Sequence, residues 1–147
     1  MAEQAVSHTH TLVLSERQLA ITAEALEFYM RYCIGQFDVL TIVTCRATAK
    51  EYRQAHGLPD YPAREKTELL DELRREYFPE LHGPGHSYGV GWNDKPEQQH
   101  AQIAYEIYKA IYFERNQRLG INDVHSWNGL HYSDQPRPLL TPISEKT

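Results

Sequence analysis

The chain has 147 residues, of which 41% are hydrophobic and 24% charged, a composition typical of a folded globular domain rather than a disordered chain. Its formal net charge of −5 repels polyanions and no run of Lys and Arg occurs, so we expect no binding to duplex nucleic acid. Two cysteines do not make a secreted disulfide framework, and neither a signal peptide nor a long apolar run is present. We therefore predict a cytoplasmic protein with no membrane association.

The length favours one domain over residues 1–147, with a flexible leader at 1–9 and an extended or loose tail at 134–147. The pattern predicts a mainly α fold of four helices, preceded by a short strand at His10–Leu14 and followed by a β-hairpin. Ser15 begins the first helix, because Ser15 and Gln18 can form a capping box, and Gly35 suits its end. Apolar residues recur between them at helical spacing: Leu19, Ala23, Leu26, Met30 and Cys33.

The next two helices are predicted from length and from their breakers. A second helix is expected from Phe37 to about Ala55, although the β-branched run LTIVT keeps a strand in competition. A third helix begins near Asp60 and Pro62 and ends before Pro79. Its predicted apolar stripe consists of Leu69, Leu70, Leu73 and Tyr77.

The C-terminal third carries the last helix and the hairpin. The fourth helix is predicted to start at Asp94 with Pro96 and to run to about Asn116, burying the side that carries Ile103, Ile107 and Ile111. Asn128-Gly129 suits a two-residue turn between short strands, so a hairpin is expected, with Trp127 on its apolar face.

A strip of aromatic rings and a cation along the fourth helix is the first candidate for ligand binding. Tyr105, Tyr108, Tyr112 and Arg115 follow one another at helical spacing. Tyrosine rings can stack on a nucleobase and a guanidinium can bind phosphate, so the strip suits a nucleotide-like ligand. The alternative is that these tyrosines are half-buried packing residues.

The end of the first helix repeats this chemistry and could form the opposite wall of one pocket. Its candidates are Tyr29, Arg31, Gln36 and Phe37, with Arg31 and Gln36 as donors. The alternative is a helix-to-helix corner in which Gly35 makes the turn and Phe37 seals the core.

A glycine-rich loop supplies the remaining candidates, His86, Ser87 and Tyr88, which we expect to form a lid over the pocket. No Lys-Ser or Lys-Thr follows the glycines, so the loop is not a nucleotide-hydrolase phosphate loop, and a plain connecting loop is the alternative. The spacing of His82 and His86 fits no metal motif, and no nucleophile motif occurs. We therefore predict no catalytic residue, no metal, no cofactor and no enzymatic activity.

Three stretches of the chain resemble a family of small helical proteins encoded by phages and prophages. They are the first helix through Gly35-Gln36-Phe37, Ser87 to Val90, and Ala104 to Asn116, which match Gly-Gln-Phe, Ser-Tyr-Gly-Ile and Ala-Tyr-Asp-Ile-Tyr elements. The chain departs from that pattern at Ala110–Tyr112, where an Arg-His pair is expected. Small phage proteins without catalytic motifs include sponges that sequester nucleotide-derived second messengers of bacterial defence, so the resemblance implies such a role.

The sequence thus leads to a non-enzymatic, homo-oligomeric phage anti-defence protein that sequesters a phosphate-bearing small molecule in the host cytoplasm. The expected ligand is a cyclic oligonucleotide or an ADP-ribose derivative. A protein-binding inhibitor or assembly factor that acts through an aromatic interface, including Trp127, is the alternative. A hydrolase that uses His86 and Glu106 is a third hypothesis.

Overall fold

A computed structural model describes residues 8–38, 47–59, 64–81, 86–91, 95–121 and 132–144. In these ranges the chain is mainly helical, as predicted, with α1 at Glu16–Cys33, α2 at Ala47–Ala55, α3 at Arg64–Tyr77 and α4 at Pro96–Leu119. None of these helices combines the length and the apolar character that a membrane crossing requires.

The ends of α1 form as their sequence predicts. The Gln18 backbone N–H donates to Ser15 Oγ at 3.2 Å, and the Ser15 N–H donates to Gln18 Oε1 at 2.9 Å, which completes the capping box. At the other end Gly35 has a φ of +82°. The Gln36 N–H donates to the Arg31 carbonyl at 2.8 Å and the Gly35 N–H to the Tyr32 carbonyl at 3.0 Å, the bond pair of a Schellman turn.

The helix α4 is longer than predicted, because it continues to Leu119 before Gly120 turns it with a φ of +67°. Pro96 occupies the first helical position, where its missing N–H is no loss. The predicted start at Asp94 lies outside the described residues, and the Lys95 N–H donates to Gln98 Oε1 at 3.1 Å.

The main core is formed by α1 and α4, which run antiparallel. Glu16 meets Arg118 at one end of the pair and Tyr29 meets His100 near the other. Alanines at the contact, Ala23, Ala101 and Ala104, allow the two helices to approach closely. The same cluster buries larger side chains around them: Met30, Cys33, Ile34, Tyr108 and Ile111.

A second, smaller core holds α3 against the corner after α1. Its buried residues are Phe37, Phe78 and Leu81. Arg74 is only 1% exposed, and its Nη1 donates to the carbonyls of Leu81 at 3.0 Å and His86 at 3.2 Å. The guanidinium therefore ties α3 to both sides of the following loop.

Several expectations differ from the structure. Residues 10–14 form no strand, and Leu12 and Val13 are exposed, since no neighbouring strand pairs with this segment among the described residues. Of the predicted second helix, Ala47–Ala55 is helical, Phe37 and Asp38 lie in a turn, and 39–46 fall outside the described residues. The hairpin around Trp127 also falls outside them.

Of the four residues in the predicted stripe of α3, Leu70 packs against the smaller core and the other three are exposed. Leu69 is 52% exposed, Leu73 44% and Tyr77 59%. The face that packs inward starts at Leu70 and continues at intervals of four residues through Arg74 and Phe78, which the prediction did not include. Because Arg74, a charged residue, lies at the centre of the inward face, hydrophobic spacing did not predict that this face is buried.

Candidate functional site

A connected set of polar side chains joins α1, α4 and the segment 86–91. Arg31 Nη1 donates to Gln36 Oε1 at 2.8 Å, and Gln36 Nε2 donates to Ser87 Oγ at 3.3 Å. On the other side, Arg31 Nη2 donates to Glu27 Oε1 at 3.1 Å, and the Tyr112 hydroxyl donates to Glu27 Oε2 at 3.0 Å. We call Glu27, Arg31, Gln36, Ser87 and Tyr112 the Arg31 cluster.

The fold of the corner positions this cluster. The Schellman turn at Gly35 reverses the chain so that Gln36 lies beside Arg31 of the preceding helical turn. The Tyr88 N–H donates to the Ile34 carbonyl at 2.9 Å, which fixes Ser87 next to Gln36. Local helix-end chemistry and one backbone hydrogen bond therefore bring together residues that are distant in sequence.

The cluster is partly exposed and has no net charge of its own. The Arg31 side chain is 29% exposed, and the Glu27 side chain 18%. Three of the five guanidinium N–H groups of Arg31 are used, through Nε and Nη2 to Glu27 and through Nη1 to Gln36. One N–H on each terminal nitrogen is left to meet solvent or a ligand.

Tyr108 lies in the electrostatic surroundings of this cluster but is buried. Burial is the main cause that raises the pKa of its hydroxyl, the Glu27 carboxylate acts in the same direction, and Arg31 opposes them. The Tyr108 and Tyr112 rings meet edge to face, with centroids 5.7 Å apart. Tyr108 therefore stays a neutral phenol that supports Tyr112 rather than a ring open to a ligand.

Arg115 lies in a different cluster at the other end of the helix pair. Its Nε donates to Glu16 Oε1 at 2.9 Å, and Arg118 Nη2 donates to Glu16 Oε2 at 2.7 Å. The hydrogen bond from Arg118 is the main cause that lowers the pKa of Glu16, with Arg115 adding to it. We call Glu16, Arg115 and Arg118 the Glu16 cluster.

Other predicted aromatic residues have separate partners. The Tyr29 hydroxyl is 2.8 Å from His100 Nδ1, and burial raises the pKa of that hydroxyl. The ring of Tyr105 contacts those of Tyr108 and Tyr132, at 5.5 and 6.1 Å between centroids. These two tyrosines act within the packing of α4 and its neighbours.

The remaining aromatic candidates belong to the smaller core. Phe37 is buried and stacks on Tyr32 with centroids 5.4 Å apart. The Tyr88 ring meets Phe78 edge to face, and its hydroxyl donates to Glu80, as does Lys95 Nζ. The bonds from Lys95 and Tyr88 lower the pKa of Glu80 to about 2, so this carboxylate stays charged at any physiological pH.

The two residues of the hydrolase hypothesis have structural partners of their own. His86 is exposed, and its carbonyl accepts from Arg74. Glu106 is buried and accepts from the backbone N–H of Ser133 at 2.7 Å and from its hydroxyl at 2.6 Å. Glu106 therefore holds the chain at 132–133 against α4.

A groove of about 510 Å³ lies elsewhere, between the C-terminal half of α4 and residues 138–142. Phe113, Gln117 and Arg118 line one side and Pro138, Leu140 and Pro142 the other. None of the residues predicted to bind a ligand lines it. Within the described part of the chain, no group of His, Cys, Asp and Glu side chains is arranged to hold a metal ion.

Sequence reasoning missed Glu27 and Arg74. Glu27 precedes Arg31 by one helical turn, and this spacing signals an ion pair, but not that the pair would also bind Tyr112. Arg74 stands among the exposed charges of α3, and only its apolar neighbours Leu70 and Phe78, one turn to either side, mark its face as buried.

Comparisons with protein-family models, with curated proteins and with solved structures find no match to this chain.

Proposed function

We propose that this protein is a non-enzymatic binder that sequesters a phosphate-bearing small molecule, with the Arg31 cluster as its binding site. The expected ligand is a nucleotide-derived second messenger of bacterial defence, either a cyclic oligonucleotide or an ADP-ribose derivative. The setting we propose is that of a cytoplasmic, homo-oligomeric phage anti-defence protein, and the resemblance of three sequence stretches to a phage and prophage family supports it.

The observation that carries this proposal is the bonded path from Ser87 through Gln36 and Arg31 to Glu27. It joins predicted ligand-binding residues from separate segments around one partly exposed guanidinium. A planar cation with free N–H groups on both terminal nitrogens matches a phosphate, which accepts two parallel hydrogen bonds. The half-buried ring of Tyr112 beside it offers a surface on which a base can stack.

Substitution of Glu27 can distinguish ligand binding at the Arg31 cluster from a purely structural role of the cluster. Its carboxylate opposes the binding of a phosphate at Arg31, because the two anions repel each other across the same guanidinium. Glu27→Gln keeps the size of the side chain and removes its charge, and its one amide oxygen takes the place of two acceptor oxygens, one bonded to Arg31 and the other to Tyr112. We therefore expect Glu27→Gln to bind a phosphate-bearing ligand several-fold more tightly than the wild-type protein, with a modest fall in melting temperature because Arg31 loses its ionic partner.

The experiment uses a defined panel of cyclic dinucleotides, cyclic trinucleotides and cyclic ADP-ribose isomers. Each is incubated with the protein, the complex is separated from free ligand, and heating releases what was bound for mass spectrometry. Intact ligand recovered after a thermal shift supports sequestration, and altered ligand contradicts it in favour of an enzyme. Absence of a shift with every member contradicts the proposed ligand class and favours the protein-binding role.

A further inference from the structure

An exposed apolar band runs along α3 and onto the end of α1. Leu69, Leu73 and Tyr77 follow one another at intervals of four residues, so they form one continuous stripe. The Tyr77 ring contacts Phe37 with centroids 5.8 Å apart, and Phe37 stacks on the exposed Tyr32. The band includes no residue of the Arg31 cluster.

Isolated exposed leucines are common on proteins, but Leu69, Leu73 and Tyr77 form one stripe, and the exposed Tyr32 is joined to its end through the buried ring of Phe37. Contiguous exposed apolar surfaces of this kind mark interaction sites, and tyrosine is enriched at such interfaces. The stripe from Leu69 to Tyr77 spans about 12 Å along the helix axis, at about 1.5 Å per residue. This length fits two to three turns of a second helix laid against it.

The charges beside the band restrict what can cover it. Glu68, Glu72 and Glu76 are exposed and also repeat every four residues, so they form a parallel row one position before each apolar residue. Arg74 faces inward and is 1% exposed, while Arg75 is exposed beside the row, so that three carboxylates outnumber one exposed guanidinium and the row keeps a net negative charge. The edge of the band that faces away from the smaller core is therefore a line of carboxylates.

A second copy of the chain does not fit this arrangement. If two α3 helices packed antiparallel about a twofold axis, the same flank of each helix would meet, as in antiparallel coiled coils. The two carboxylate rows would then face each other across the interface and repel. A partner with the opposite charge is favoured.

We infer that the Leu69–Leu73–Tyr77 face of α3, with Tyr32 beside it, is a docking surface for a basic amphipathic helix of another protein. Leucine-like anchors of that helix, spaced three to four residues apart, pack on the stripe, and its Lys or Arg residues pair with Glu72 and Glu76. The carboxylates set the preference between partners, while the buried apolar contacts supply most of the affinity.

The test uses two synthetic peptides of three to four helical turns with the same leucine positions, one flanked by lysines and the other by glutamates. Fluorescence anisotropy measures their binding to the full-length protein. We expect the lysine peptide to bind at least tenfold more tightly than the glutamate peptide, with the difference shrinking as salt is raised. Equal binding of the two peptides at low salt would overturn the inference.

Variants of the protein make the test specific. Leu73→Lys should weaken binding of the lysine peptide at least tenfold, and the double variant Glu72→Lys with Glu76→Lys should reverse the preference between the peptides. Leu139→Lys is the matched control, because Leu139 is exposed on the C-terminal segment, outside the band, and its replacement should change neither affinity. Circular dichroism confirms that each variant is folded.

Two results would contradict the assignment. Unchanged binding by Leu73→Lys would place the peptide elsewhere. An oligomer of the wild-type protein that Leu73→Lys converts to monomers in sedimentation would show that the face binds another copy of the chain. Because the band and the Arg31 cluster share no residue, Leu73→Lys should leave small-molecule binding unaltered, so this inference and the proposed function can fail separately.

Discussion

The Arg31 cluster and the Glu16 cluster both link α1 to α4, yet they differ in what surrounds the guanidinium. Arg31 bonds to side chains of the helix corner and is held there by Gln36 and Ser87. Arg115 and Arg118 meet Glu16 at the open end of the pair, where the Glu16 side chain is 53% exposed. Helical spacing places an arginine on one face of its helix, whereas the chain beyond the helix end decides whether other segments also bond to its guanidinium.

Arg74 differs from the arginines of both clusters because its guanidinium is almost fully buried. Arg74→Met keeps the apolar stem but removes the donors to the Leu81 and His86 carbonyls. We expect a loss of about 3 kcal/mol in the free energy of unfolding, because buried charge-assisted hydrogen bonds are lost and carbonyls are left without them. Urea denaturation measures it, with the exposed Arg75→Met as the control on the same helix. Equal stability of the two variants would show that Arg74 does not hold the loop.

A glycine ends the helix near each cluster, Gly35 after α1 and Gly120 after α4. The same substitution can be made at each glycine and the two losses of stability compared. Both Gly35 and Gly120 have positive φ, so alanine costs about 1 kcal/mol at either position. An added Cβ at Gly35 would also lie 2.6 Å from Leu81 Cδ1, whereas nothing lies within 4 Å of one at Gly120. We therefore expect Gly35→Ala to destabilise the protein by about 2 kcal/mol in total, since Leu81 must shift in a packed core. Equal losses in thermal unfolding would mean that the corner is loosely packed.

Within the Arg31 cluster, the Tyr112 hydroxyl links α4 to α1 through Glu27. Removing the hydroxyl measures how much this link contributes to stability. Tyr112→Phe removes the hydrogen bond from the hydroxyl to Glu27 and keeps the ring, so we expect a loss of about 1 kcal/mol in unfolding free energy. Tyr77→Phe is the comparison, since Tyr77 is exposed and should tolerate the change. If Tyr112→Phe is as stable as the wild type, the bond to Glu27 contributes nothing to the pairing of the helices.

The Glu16 cluster should give the smallest effect, and one that depends on pH. Its arginines lower the pKa of Glu16 below the ordinary value of 4.5, so the stability it contributes is present above that value and is lost as the pH falls through the lowered one. We expect Glu16→Gln to reduce the melting temperature slightly at pH 7 and not at all in strong acid. A larger difference in acid than at pH 7 would contradict this sign.

The sequence predicted the parts of this fold that depend on local chemistry. The capping box at Ser15 and the turn at Gly35 follow from residue type and spacing alone, whereas of the predicted isoleucine side of α4 only Ile111 is buried and Ile103 and Ile107 are half-buried. The pairing of Gln36 with Ser87 was not predictable as a contact, because it depends on a backbone bond between Tyr88 and Ile34. The inward face of α3 was missed for a related reason: a buried arginine satisfied by carbonyls resembles a surface arginine in sequence.

The sequence predicts one pocket lined by aromatic rings and two arginines, and the structure brings together only some of these residues. Arg31, Gln36, Ser87 and Tyr112 come together, while Arg115 lies with Glu16. Spacing along α4 put Tyr112 and Arg115 on one strip, but the antiparallel α1 presents Glu27 to the first and Glu16 to the second. The partner helix, which sequence spacing cannot orient, separated them.

Isothermal titration can decide which guanidinium binds the ligand. Arg31→Gln and Arg115→Gln are each titrated with the same panel of cyclic dinucleotides, cyclic trinucleotides and cyclic ADP-ribose isomers. If the Arg31 cluster is the binding site, Arg31→Gln weakens the binding of the recognised ligand by about 10- to 100-fold, the worth of a charge-assisted hydrogen bond, and Arg115→Gln leaves it within about twofold. Equal affinities of the two variants, or a greater loss with Arg115→Gln, would contradict the account.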